Sequence, residues 1–228
     1  MAILGFDAYA FPGAPALLWL RQNANFRFTG FYLAPAPRHP DASWMGARAF
    51  LAANGWGTIP TYVGLQVEDG GLSTSTGAQH GHHAAALMQQ AGFPVGSVVY
   101  LDLEKPDLTP AFTAYIDGWL QAVAASGFVP ALYGSHLVIS FAQSRHVPIW
   151  SFRIPNHTAG QTYDPHNLPA AHVDAGAIAT QYRQNVGLTG FSIPLDLDIS
   201  SIVDPSHFPT VNHHMESVVA AHAAAQPG

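Results

Sequence analysis

Two acidic side chains close an otherwise apolar run, Ser97-Val98-Val99-Tyr100-Leu101-Asp102-Leu103-Glu104. Asp102 and Glu104 are two residues apart, so on a strand they share one face, roughly 6.5–7 Å from each other along the chain. Carboxyls so spaced suit cleavage of a glycosidic bond. One protonates the leaving oxygen while another supports the positive charge that develops on the sugar. The run is too apolar for a solvent-facing edge, so its acidic end is expected to open onto a cleft.

The elements that would hold such a pair repeat along the chain. Strand-like runs at residues 3–8, 28–34, 58–66, 97–104 and 129–135 alternate with helix-like stretches within 14–24, 43–54, 78–91 and 111–126 and around 137–143. That is the βα rhythm of a parallel sheet. Three further runs, 148–154, 177–183 and 192–199, are separated by segments rich in Gly, Pro, Asn and His, where helices should be short or missing. Eight strands without a linker predict an α/β fold. It is a single TIM-type (β/α) barrel over residues 1–209, followed by a helix near 215–225 in a tail at 210–228. An open doubly wound sheet, the alternative, usually needs fewer strands.

In a barrel the reactive groups lie at the carboxyl ends of the strands. Strand parity brings Asp7 on the first strand and Asp196 and Asp198 on the eighth to one side of the mouth, opposite Asp102 and Glu104. The same parity places Tyr32, Tyr62, Gln66, Tyr133, Trp150 and Gln181 inside, where aromatic faces suit sugar rings and amides suit hydroxyls. An isolated Asp at a strand end is ordinarily a cap, and an isolated inward aromatic ordinarily fills a core layer.

Composition removes other classes. Charged residues make up only 10% of the chain, Lys and Arg number 8, and the formal charge is −6, which leaves no basic surface for nucleic acid. Without cysteine there is no disulfide framework and no thiol nucleophile. The chain carries 13 histidines, but His80, His82, His83 and the pair His213-His214 form no metal-ligand pattern, so no metal or cofactor is expected. No Gly-x-Ser-x-Gly elbow, Walker loop or dinucleotide fingerprint occurs. No apolar run approaches the ~20 residues of a membrane span, and the first residues do not read as a secretory signal. A soluble monomer without membrane contact is expected.

Taken together, Gly5-Phe6-Asp7, Tyr100-Leu101-Asp102-Leu103-Glu104, Tyr133, Gln181-Tyr182 and Leu195-Asp196-Leu197-Asp198 resemble family 25 glycoside hydrolases, the Chalaropsis-type lysozymes. They are still more similar to a bacterial glycoside-hydrolase-like domain related to them. The resemblance spans residues 3–203. It implies cleavage of the β-1,4 bond after N-acetylmuramic acid in peptidoglycan, outside the cytoplasm. It also puts Glu104 at the general-acid position, Asp102 at its acidic neighbour, and Asp7 and Asp196 at the other active-site carboxylates. The segment Ser151-Phe152-Arg153-Ile154-Pro155 departs from the lysozyme pattern.

Crowding among these carboxyls should raise the proton affinity of one of them, and Glu104, the outermost, is expected to be that one. Asp102 would stabilise the developing cation or orient a substrate N-acetyl group, and Asp196 or Asp7 would position water. A sugar-binding barrel that keeps the cleft without cleaving is the alternative from another class. A barrel hydrolase that uses its carboxylates on a metal is a third reading.

Overall fold

Strands form where β-branched and aromatic residues are pressed between two apolar layers, and helices where alanine-rich stretches carry a cap. The structure, a computed structural model, describes residues 2–155 and 159–207. The expected helix at 215–225 and the boundary at 209 lie outside them. The elements run β1 (Ile3–Asp7), α1 (Ala14–Asn23), β2 (Phe28–Tyr32), α2 (Arg48–Ala53), β3 (Gly57–Tyr62), α3 (Thr74–Gln90) and β4 (Val98–Leu103). There follow α4 (Pro110–Ala125), β5 (Val129–Ser135), α5 (Ile139–Ser144), β6 (Ile149–Phe152), β7 (Thr162–Tyr163), β8 (Ala179–Leu188) and β9 (Phe191–Ser200). Ser73 and Thr109 cap α3 and α4 by accepting the amides of Thr76 and Phe112, as their sequence positions favour.

β1 to β6 lie side by side and parallel, β6 pairs with β8, and β9 closes the ring between β8 and β1. The expected eight-stranded α/β barrel is therefore present, and among the described residues no helix lies between β6 and β9. The two-residue β7 adds to the far end of β8 outside the barrel.

One strand differs from the parallel pattern. β9 runs antiparallel to both β8 and β1. The reason is the length of the connection: Leu188 pairs with Phe191, leaving only Thr189 and Gly190 between the strands, whereas a parallel crossover needs about a dozen residues or more. The hairpin tip is tied to α1 by Phe191 stacked on Trp19.

Two apolar layers sandwich the strands. Phe28, Ile59, Val98, Tyr100, Ala131, Tyr133, Trp150 and Ala179 fill the inside of the barrel. Phe6, Phe31, Tyr62, Leu101 and Leu103 face outward to helix residues such as Leu17, Phe112, Tyr115 and Trp119. The chain after β9 closes the amino-terminal end of the barrel. Asp204 accepts from the Thr58 amide (2.9 Å), Ser206 O from the Val98 amide (2.8 Å) and Pro205 O from the Tyr100 hydroxyl (2.9 Å).

Glycine lets α3 and α4 touch backbone to backbone. A Cβ on Gly77 would lie 2.0 Å from Tyr115 O, and one on Gly118 would lie 2.2 Å from Thr74 O. Gly77→Ala is therefore expected to force the helices apart and cost about 1–3 kcal/mol in urea unfolding. Wild-type stability in that variant would show that the contact yields. Among the described residues no helix is long and apolar enough to cross a membrane.

Candidate active site

The carboxyl ends of β1 and β4 and the neighbouring stretch of β9 bring the acids together. β9 pairs Asp196 with Asp7 at the mouth and Asp198 with Gly5 one layer deeper. Gly30 on β2 makes room for Asp7, since a Cβ there would meet the Asp7 Cβ at 2.6 Å. Asp102, next to last in β4, faces inward, and Glu104 stands exposed on the rim just beyond the strand.

One amide organises the centre. Gln181 Nε2 donates to Asp7 Oδ2 (2.8 Å) and Asp196 Oδ2 (3.2 Å), while its Oε1 accepts from the Tyr133 hydroxyl (3.0 Å). Tyr32 donates to the other oxygen of Asp7 (2.7 Å), and the Asn185 amide donates to Asp196 Oδ1 (2.6 Å). Below them Trp150 Nε1 donates to Asp198 Oδ1 (2.9 Å), and the second Asp198 oxygen finds no donor. Asp198 is in hydrogen-bond contact with Asp7, so a proton on Asp198 satisfies both carboxyls.

Burial sets the protonation. It pushes Asp102 and Asp198 well above the usual carboxylate range, reinforced for Asp102 by the charges of Glu104 and Asp7 and for Asp198 by that of Asp7. Asp196 is raised to about 8, first by burial and then by Asp7, against the pull of the Asn185 amide. Asp7 is also raised by burial, but the hydrogen bonds from Tyr32 and Gln181 oppose the shift. Desolvation is the largest cause at all four aspartates, and it acts on the deepest groups.

The other expected site residues divide. Tyr32 and Gln181 bond the carboxylates, and Tyr133 holds Gln181 in place. Four others have different positions from those expected. Tyr62 faces outward, its hydroxyl against His83 Nδ1 (3.1 Å) and its ring near Trp119, because β3 turns its Ile59 and Thr61 face inward instead. Trp150 is 1% exposed and Asp198 is fully buried, so both support the layer beneath the mouth and are out of reach of a ligand. Gln66 lies in the loop after β3, bonding Asp102 O through Nε2 (2.9 Å) and the Glu104 amide through Oε1 (3.0 Å). Instead of meeting substrate, it fixes the end of β4.

Gln66 is itself held by Asp69, which accepts from the Gln66 amide and pairs with Arg38. Gln66→Leu should leave two backbone groups unpaired, at roughly 1–3 kcal/mol for each that stays buried. It should also lower kcat by loosening Glu104. Urea unfolding together with glycan turnover checks this, and unchanged values would show the clamp to be dispensable. Asn185 was not foreseen in the sequence. Its contact with Asp196 is made by backbone at a positive φ of 53°, which no side-chain pattern announces.

Among the described residues no group of three or more His, Cys, Asp or Glu is arranged to hold a metal ion. His80 and His83 instead meet the hydroxyls of Tyr115 and Tyr62. His213 and His214 lie outside those residues. Two surface hollows, of about 600 and 360 Å³, are lined by residues such as Gln22 and His166, or Arg153 and Tyr182, away from the carboxylates.

The fold has solved counterparts. An uncharacterized B. stearothermophilus protein matches with a TM-score of 0.66 and 17% identity, over 87% of this chain and 96% of that one. The Clostridium perfringens spore cortex lytic enzyme SleM matches with 0.62 and 14%, over 87% and 67%. The Mycobacterium tuberculosis Tat-secreted protein Rv2525c, in complex with L-tartrate, matches with 0.58 and 15%, over 86% and 93%. These likenesses are of fold. No curated protein sequence matches. The model of the Rv2525c-like, glycoside hydrolase-like domain matches residues 19–200, most of the barrel. With three aspartates and a glutamate gathered at the mouth of that barrel, the chain belongs to the Rv2525c-like glycoside hydrolase-like family.

Proposed function

We propose that this protein cleaves a β-1,4 linkage in an N-acetylated glycan, peptidoglycan foremost, as a monomeric muramidase-like hydrolase. The observation that carries the reading is the arrangement at the mouth. Asp7 and Asp196 sit level on adjacent strands, bridged by Gln181, and the end of β4 adds Asp102 and Glu104. Glu104, exposed at the rim, is the first carboxyl that a glycosidic oxygen meets, and it supplies the proton. Asp7, with a donor on each oxygen, is the best supported negative charge and faces the sugar as its cation develops. Asp102 stabilises that cation or orients the N-acetyl group, and Asp196 positions water.

The relatives support the substrate class. SleM is a spore cortex lytic enzyme, and Rv2525c is a secreted protein, which fits action outside the cytoplasm. The second reading is a glycan-binding barrel without turnover. It is favoured by one observation: raised proton affinity leaves the buried aspartates short of the negative charge that an oxocarbenium ion needs. Incubating the full chain with purified peptidoglycan and measuring released reducing ends separates the two. Release supports hydrolysis, and binding without release supports the lectin-like barrel.

A further inference from the structure

Tyr9 is the one Phe, Tyr or Trp among the described residues that stands exposed, with 58% of its surface open. An aromatic ring on a mobile loop would be unremarkable, but the backbone on both sides of this one is pinned. The buried Trp44 donates its indole N–H to Ala8 O (3.1 Å), and Ser43 Oγ accepts from the Phe11 amide (2.8 Å). The ring is therefore presented in a fixed place just past Asp7, at the end of β1.

The ring also rests on a stack that leads to the acids. Its centroid lies 4.4 Å from that of His39. His39 stacks on Tyr32 at 4.7 Å and 23°, and the Tyr32 hydroxyl holds Asp7. His39 is 1% exposed, and burial pushes its imidazole down, so the stack is neutral at physiological pH. The charge that acts on His39 is that of Asp41, which opposes the effect of burial. A neutral ring beside an acidic group is a poor receptor for an anion and a good one for the apolar C–H face of a sugar. Fixed backbone keeps the ordering cost of binding low.

We propose that Tyr9 is the stacking platform of a sugar subsite beside the carboxylates, holding a pyranose next to the linkage that is cleaved. The inference rests on the glycan reading of the acid cluster and adds a contact surface to it. Its test is calorimetric titration of the β-1,4-linked N-acetylglucosamine tetramer into the full chain carrying Glu104→Gln, so that the ligand is not consumed. Adding Tyr9→Ala should weaken binding about tenfold, the order expected for losing an aromatic face. Adding Tyr9→Phe should change it less than about twofold, because the face remains. Equal affinity with Tyr9→Ala overturns the platform while leaving the glycan reading standing, and an equal loss with Tyr9→Phe overturns stacking in favour of the hydroxyl. If the tetramer binds none of these proteins and does not bind the wild type, the glycan reading falls and the platform falls with it.

Discussion

Glu104→Gln is expected to reduce the release of reducing ends from peptidoglycan by about 10²–10⁴-fold, the usual contribution of a positioned general acid. Glutamine keeps the shape and the hydrogen-bonding reach of the side chain but cannot give up a proton. The fold should not notice the change. Glu104 is exposed, and the bond that holds its backbone amide to Gln66 is unaffected by what the side chain carries. Melting temperature and oligosaccharide affinity should therefore stay close to wild type while turnover collapses. A variant that turns over at the wild-type rate would remove Glu104 from the acid role and direct attention to Asp196, whose raised affinity keeps a proton at neutral pH.

The second large effect is one of stability. Asp198 is buried beneath Asp7, and its affinity for a proton is raised well above that of an unfolded aspartate, about 3.9. With pH rising from about 4, the unfolded chain gives up this proton while the folded chain still holds it. The unfolded state then binds fewer protons, so the group's contribution to stability is complete below about pH 4 and is lost as pH climbs toward the folded value. Asp102 acts in the same direction, and Asp196 does so over the window from its ordinary 3.8 to about 8.

Asp198→Asn imitates the protonated acid. Its oxygen can accept from Trp150 and its amide can donate to Asp7, yet it never has to ionise. The variant is expected to melt higher than wild type at pH 8, to match it near pH 4, and to show a flatter stability profile between the two. Thermal melts at a series of pH values decide this. A variant less stable than wild type at pH 8 would mean that Asp198 is charged in the folded protein.

The barrel and the acids were legible because their signals are local. Asp7 ends its strand, Asp102 and Glu104 flank the last residue of theirs, and the gaps between the first five strands are long enough for the helices that occupy them. Tyr62 escapes the parity rule because β3 is buried on both faces, with Thr58, Ile59, Thr61 and Tyr62 all out of solvent, so alternation carries no inside or outside label there. The direction of β9 could have been read. Only eight residues separate the runs 177–183 and 192–199, too few for a parallel crossover, and reversing the strand moves Asp198 from the mouth into the layer below. The role of Gln66 could not have been read, since a side chain that bonds the backbone of a distant strand leaves no spacing in the sequence.

The segment that closes the lower end of the barrel has a bearing on how the protein can be handled. Residues 203–206 and the start of β1 both lie at the amino-terminal end, opposite the acid cluster. A linker fused at either side of the described barrel therefore departs from the far pole, and a molecule immobilised by it faces its cleft away from the support. Insoluble glycan presented as a layer could then be approached head-on, with the tether trailing behind.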